Sequence, residues 1–244
     1  MFYLIKLFPD LCFSVILMFK YTVFSSQSLH ILCDFDGTIS LSDTTDVLLN
    51  KFAQHGWEEI EEQWENGLIG SQQCMKQQIE LLKMSLEEFH ACLDNIEIDL
   101  SFFDLLAFCS KHSITLTIVS DGLDLVIRYL LDKYNLPFVN VISNRLIQKS
   151  EHEWTLESPH ANPICAAQSG TCKCKLAEKS QQNVILIGDG RSDFCLAKKA
   201  DYVFAKSSLI KHCEDNNIPF QPIHTLSDSV TYLEKMLNFN LVSA

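Results

Sequence analysis

Arginine is scarce in this chain. Of 19 basic residues only three are arginine (Arg128, Arg145 and Arg191), against 31 acidic residues and a net charge of −12. A nucleic-acid binder normally carries a basic stripe. None is present, so that class of partner is set aside. Long apolar runs are also lacking. The longest near the N-terminus covers residues 11–19, ahead of Lys20, whereas a bilayer span needs about 20 residues. No stable membrane span is expected. There are no internal repeats or low-complexity tracts, and glycine and proline number only eight and six. Collagen-like and disordered classes are thereby excluded.

What is present suits a folded enzyme. With 244 residues, 47% of them hydrophobic, the chain can build one large domain or a core plus a smaller module. Ten cysteines are many for this length. Cys33 falls in an apolar run, and Cys109 and Cys195 in helix-like ones, which suggests buried thiols in a reducing compartment. A cytoplasmic location is expected. Residues 1–28 read as an extension ahead of a fold that begins near Leu29. The alternative is a signal segment with Val23-Phe24-Ser25 as its cleavage site, which would make the protein secreted or periplasmic.

Short runs rich in Val, Ile, Leu and Phe recur at 29–35, 114–119, 138–142, 184–187 and 202–205. Several lead through turn residues into segments of helical period. This is the pattern of buried parallel strands with crossover helices, so an α/β fold is expected: a Rossmann-like parallel sheet with helices on both faces. Residues 43–98 break the alternation. They are rich in Gln and Glu, with helical periodicity and no convincing strand. The expected division is a catalytic core of 29–42 and 99–244 and a helical insertion of 43–98. A smaller insertion at 143–174 is expected to hold a hairpin near Trp154.

The stretch "HILCDFDGTIS" places Asp34 and Asp36 at the end of the first strand. Residues two apart in a strand share a face. Two carboxylates on one face either hold a cation or split their pKa values. Both outcomes suit phosphoryl transfer: an ionised Asp34 attacks phosphorus, and a protonated Asp36 gives its proton to the leaving oxygen. In "TIVSDGLD", the Ser120 hydroxyl and the N–H groups of Asp121 and Gly122 are candidates to bind phosphate at a helix N-terminus. In "VILIGDGRSDFCLAKKA", Asp189 and Asp193 suit a hard divalent ion such as Mg²⁺. So many negative charges need a cation to let a phosphate ester approach. Lys175 is the best-placed candidate, with Lys173 and Lys179 as rivals. Taken singly, the Ser120 segment reads as an ordinary helix cap, and an exposed surface charge is the default for any one lysine.

Together, "DFDGT", "VSDG", a lysine and "GDGRSD" resemble, in order, the four motifs of haloacid dehalogenase-superfamily phosphatases. The resemblance runs from about Leu29 to the C-terminus, and the helical insertion looks like that superfamily's type I cap. It implies bound Mg²⁺ and an aspartyl-phosphate intermediate. It makes Asp34 the nucleophile, Asp36 the acid/base, and Ser120 and Lys175 the phosphate ligands. Asp34, the Asp36 main-chain carbonyl and Asp189 would hold the metal, with Asp193 in support. The flanks, "GTCKCK" and "LIKHCEDNNIPFQPI" among them, resemble the methionine-salvage phosphatases, which act on 2-hydroxy-3-keto-5-methylthiopentenyl-1-phosphate and are related to phosphoserine phosphatases.

Residues 37–127 contain no arginine to grip the carboxylate of phosphoserine. They do offer Phe52, Trp57, Trp64, Met75 and Met84, which suit a methylthio tail. A small phosphorylated metabolite is therefore the expected partner, and phosphoserine a poor substrate. A phosphoserine phosphatase, a phosphotransferase that passes phosphate from Asp34 to an alcohol, and a phosphate-binding module without catalysis are the alternatives. His160, Cys165, Cys172 and Cys174 lie within fifteen residues and form a candidate structural Zn²⁺ site of irregular spacing. Free thiols or a Cys165/Cys172 disulfide are the other readings.

Overall fold

The computed structural model describes residues 29–242; the extension or signal expected for residues 1–28 lies outside them. Seven strands form one sheet: β1 (Leu29–Cys33), β2 (Thr115–Leu123), β3 (Asn140–Gln148), β4 (Trp154–Glu157), β5 (Asn183–Gly188), β6 (Tyr202–Ala205) and β7 (Phe220–Pro222). Their order is β4-β3-β2-β1-β5-β6-β7. All neighbours are parallel except β3 and β4.

Helices cover both faces, and the side-chain alternation of the central strands shows it. Leu29, Ile31 and Cys33 of β1 join Ile185 and Ile187 of β5 in one core. Leu32 joins Val184 and Leu186 in the other. A strand buried on both sides has no polar face to show, which is why these runs read as continuously apolar. The first core packs against α5 (Phe102–His112), α6 (Asp124–Lys133) and α10 (Leu226–Val242). The second packs against α7 (Lys173–Lys179), α8 (Phe194–Ala197) and α9 (Ser207–Asp215).

Between β1 and β2 the chain carries four helices: α1 (Thr44–Phe52), α2 (Trp57–Glu65), α3 (Ser71–Glu80) and α4 (Leu86–Leu93). Local signals start two of them. Asp43 accepts from the backbone N–H of Thr45 and Asp46, and Ser85 with Glu88 forms a capping box. Leu48, Leu49, Ile79, Met84 and Phe89 are continuous with the sheet core at Phe35 and Ile39. The β3–β4 hairpin is tied to this insertion by Trp154, which is 2% exposed. Its Nε1 donates to the Met84 carbonyl at 2.8 Å, and its ring packs on Phe89 with centroids 5.5 Å apart.

Two elements depart from expectation. The third strand begins at Asn140, not Phe138, whose ring is 73% exposed. The edge strand β7 went unseen. It has three residues, is only partly buried and ends in Pro222, which is tolerated at a sheet edge.

Candidate active site

The carboxyl ends of the adjacent strands β1, β2 and β5 supply the site, as expected for an open parallel sheet. Asp34 directly follows β1 and extends its ladder, its N–H donating to the Ile187 carbonyl at 2.9 Å. The turn after Asp36 needs glycine at position 37. Its φ is +69°, and a Cβ there would lie 2.5 Å from Asp189 Oδ2. The turn thus brings the first and last acidic motifs into contact.

Asp36 Oδ1 accepts from the Thr44 N–H (2.8 Å) and Thr44 Oγ1 (2.6 Å). Its other oxygen faces Ser120 Oγ at 3.5 Å. Loss of solvent, followed by the charge of Asp43, pushes the Asp36 carboxyl up to about 7, against the downward pull of the Thr44 bonds. Asp36 is thereby suited to hold a proton at neutral pH. Gly122 keeps this corner open, because a Cβ there would lie 2.4 Å from Asp36 Oδ2.

The lysine that meets these carboxylates is Lys173, not Lys175. Lys173 is 3% exposed. Its Nζ lies 2.8 Å from Asp34 Oδ1 and 2.7 Å from Asp193 Oδ1, and it donates to Ser192 Oγ at 3.0 Å. Burial opposes its charge, but Asp193 and Asp34 outweigh that and hold the ammonium above its ordinary range. Lys175 is only half-buried. Helical spacing explains the correction. In α7, Lys173 shares a face with Leu176 and Ala177, which pack into the core, whereas Lys175 shares one with Glu178 and Lys179. That periodicity was readable and would have chosen Lys173.

Asp189 and Asp193 differ sharply. Asp193 is fully enclosed. Its Oδ1 holds Lys173, and its Oδ2 accepts from the N–H groups of Asp189 (3.1 Å) and Gly190 (3.4 Å). Its carboxylate is spent on closing the turn. The Asp189 carboxylate meets no hydrogen-bond donor among the described residues. Burial and then the charge of Asp193 raise it to about 6. One ligand atom each from Asp34, Asp189 and Asp193 lie within 4.8 Å of one another. Three carboxylates this close, one without a donor, fit a hard divalent cation with oxygen ligands. The Asp36 side chain does not join that cluster.

β2 runs through to Leu123, and α6 starts at Asp124, so residues 120–122 lie just ahead of that helix N-terminus. Ser120 Oγ accepts from the Gly122 N–H at 2.8 Å. The Asp121 side chain is structural. It accepts from the Thr171 N–H (2.8 Å), Asn144 Nδ2 (3.1 Å) and Ser71 Oγ (2.6 Å), tying the segment before α7 to β3 and to the start of α3.

The ligand atoms of His160, Cys165, Cys172 and Cys174 do not converge as a metal site would require. Among the described residues only the aspartate trio does so. All the described cysteines are free, and most are buried. His160 instead offers its backbone carbonyl to the Cys172 N–H at 3.1 Å.

Above the carboxylates lies a cavity of about 300 Å³. Asp34, Asp36, Ser120 and Asp189 form its floor, and Leu41, Trp64 and Met75 line its apolar side. Arg191 also lines it. The insertion itself holds no arginine, and this one reaches the cavity from the core segment after β5, which sequence position does not reveal. Arg191 Nη1 donates to the Glu65 carbonyl at 2.7 Å, and the guanidinium lies 5.0 Å from the centre of the Trp64 ring.

A family model described as haloacid dehalogenase-like hydrolase matches residues 31–198. The chain belongs to the haloacid dehalogenase-like hydrolases, and within them it is a phosphatase, a phosphoric monoester hydrolase. It is 30% identical over 221 residues to proteins named 2-hydroxy-3-keto-5-methylthiopentenyl-1-phosphate phosphatase from Bacillus thuringiensis (strain Al Hakam) and Bacillus cereus (strain AH820). The match covers 88% of this chain and 100% of each relative. Among solved structures, a phospho-aspartyl intermediate analogue of phosphoserine phosphatase superposes with a TM-score of 0.63 at 19% identity. It covers 83% of this chain and 97% of that one, a likeness of fold.

Proposed function

We propose that this enzyme hydrolyses a small phosphate monoester through an aspartyl-phosphate on Asp34, with 2-hydroxy-3-keto-5-methylthiopentenyl-1-phosphate as its substrate. The observation that carries the reading is the meeting of Asp34 and Asp189 at the floor of a cavity that Trp64, Met75 and Leu41 line from the side, with the buried Lys173 bonded to Asp34. Asp34 attacks phosphorus. Burial and the charge of Asp193 raise the Asp34 carboxyl, and Lys173, already bonded to it, pulls it back toward the ionised form that attacks. Asp36 gives its proton to the departing oxygen and then takes one from the hydrolytic water. Asp34 and Asp189 are the residues to hold Mg²⁺, with Asp193 fixing their turn. When bound, the ion supplies positive charge against the phosphate oxygens. Residues 43–98 act as the cap that keeps water out, and the thioether tail rests on Trp64 and Met75.

One observation favours a second substrate. Arg191 stands on the rim of the same cavity as Asp43 and Asp46, a pairing of charges that suits the carboxylate and amino groups of phosphoserine.

Phosphate release from a panel of small esters, with Mg²⁺ present, tests both. The methylthio ester is expected to turn over fastest. Asp34→Asn keeps the shape of the side chain, and its rate is expected to fall by about 10³-fold or more. An Asp34→Asn variant of undiminished rate refutes the mechanism. Faster turnover of phosphoserine would transfer the substrate assignment to the second reading.

A further inference from the structure

The sequence singled out a cysteine cluster that the catalytic site does not use. We propose that Cys165 and Cys172 form a peroxide-reactive dithiol, with Cys165 the attacking sulfur and Cys172 the resolving one, whose disulfide pulls Lys173 away from the catalytic carboxylates. Asn162 joins the two residues: its carbonyl accepts from the Cys165 N–H at 2.9 Å, and its Nδ2 donates to Cys172 Sγ at 3.8 Å.

Cys165 sits in a nest of donors. Ser169 Oγ lies 3.3 Å from its sulfur, and the neighbouring Ser169 and Ala167 N–H groups favour negative charge there. The turn is fixed by the Cys165 N–H on the Asn162 carbonyl (2.9 Å) and the Gln168 N–H on the Cys165 carbonyl (3.0 Å). Burial alone would raise the Cys165 thiol, but the Ser169, Ala167 and Cys172 donors outweigh it and leave it below its ordinary value. The thiols of Cys74, Cys109 and Cys174 are pushed by burial up to about 12. Cys165 is also partly exposed, whereas Cys172 is 2% exposed. A reachable thiolate beside a sheltered thiol is the arrangement of an attacking and a resolving cysteine.

The chemistry balances with a hydroperoxide as oxidant. The Cys165 thiolate attacks one peroxide oxygen, the O–O bond breaks, and the leaving hydroxide takes a proton to become water. The resulting sulfenic acid is attacked by Cys172, its hydroxyl leaves, and the Cys172 proton departs with it as a second water. Two thiols are oxidised and one peroxide is reduced.

Cys172 is peptide-bonded to Lys173 and immediately precedes the first turn of α7. Its N–H is held by the His160 carbonyl, and its carbonyl accepts from the Lys175 N–H. Drawing its sulfur in to a covalent bond of about 2.05 Å shifts the residue next to the buried lysine.

The test is treatment of the full chain with hydrogen peroxide, followed by peptide mass mapping, melting and phosphate release. A Cys165/Cys172 disulfide is expected, together with at least a tenfold loss of rate that dithiothreitol reverses. The oxidised chain is expected to melt at a lower temperature than the reduced one, because Asp34 and Asp193 lose their cation. Cys165→Ser is expected to keep the reduced rate and resist peroxide. Cys172→Ser is expected to trap a sulfenic acid on Cys165 that dimedone labels. Absence of the disulfide, a disulfide without loss of rate, a higher melting temperature, or a Cys165→Ser variant equally sensitive to peroxide overturns the proposal. The rate readout rests on the proposed phosphatase reaction. Disulfide, dimedone label and melting shift do not, so a chain inactive before oxidation refutes that reaction and leaves these three to decide the switch.

Discussion

The floor and the side wall of the cavity are built on opposite principles. The floor consists of largely buried side chains at three neighbouring strand ends, with Asp34 tied through Lys173 to Asp193 and Asp36 facing Ser120. The wall consists of short amphipathic helices, one of which, α2, buries no residue completely. A change at the floor leaves a buried charge without its partner. A change on the wall alters a surface that meets solvent or ligand. The reaction is therefore fixed by a rigid layer, and the choice of ester by a layer that tolerates substitution. Substitutions in the floor should cost far more than substitutions in the wall, and four experiments probe that contrast.

Asp36→Asn should give the largest loss. The amide cannot donate a catalytic proton, and a general acid contributes typically 10²–10⁴-fold. The loss in kcat/KM, which ends at leaving-group departure, is expected in full with alkyl phosphates and to be much smaller with p-nitrophenyl phosphate, whose leaving group needs no proton. Equal losses for both esters would remove Asp36 from the acid role. In the parent enzyme the alkyl rate should fall as pH rises through about 7, the value to which burial brings Asp36.

Lys173→Ala comes next. Breaking a buried ion pair from one side costs about 3–5 kcal/mol, and here two carboxylates lose their partner. Lys175→Ala should stay within about 0.5 kcal/mol of the parent, as surface changes usually do. Urea titration of the two variants side by side checks this. Equal stabilities would put the lysine of the site back in question.

That pair of lysines also marks where sequence reading succeeds and where it slips. Asp34 and Asp189 were legible because each ends an apolar run, where a strand end fixes a side chain to within a residue, and Asp36 and Asp193 because they stand two and four positions further on. The lysine lies in a seven-residue helix after a long loop, where a shift of two positions reverses the face. Arg191 was missed for a different reason. It belongs to the core in sequence and to the cavity wall in space, and only the tertiary fold brings it to Trp64. The zinc expectation rested on proximity in sequence, which did not become convergence of ligand atoms.

Removal and return of Mg²⁺ should give a smaller but sharper signal. Burial raises the carboxyls of Asp34, Asp36 and Asp189. Between about pH 4 and 7 the folded chain then holds more protons than the unfolded one, so without metal its stability falls as pH rises. Mg²⁺ needs those carboxylates ionised, so its stabilising effect should grow over the same range. At ten times its dissociation constant it should add about 1.4 kcal/mol, or about 3–6 °C in melting temperature. Asp189→Asn should abolish most of that gain, and an equal gain in the variant would place the ion elsewhere.

Arg191→Ala is expected to have the smallest effect, and its form matters more than its size. Arg191 follows the floor residue Asp189 by two positions, yet its guanidinium holds the Glu65 carbonyl and the Trp64 ring on the wall. If that contact only steadies the wall, its loss should raise KM about fivefold for every ester and leave kcat close to unchanged. The contact is then a form of ligand-independent preorganisation, worth about 1 kcal/mol. If the guanidinium instead binds a carboxylate on the substrate, the loss should fall on phosphoserine alone and spare the methylthio ester. Arg191→Lys separates the two further, because an ammonium keeps the charge but cannot bond in two places at once. Kinetics of both variants on both esters therefore show whether the single arginine on the wall serves the fold or the ligand.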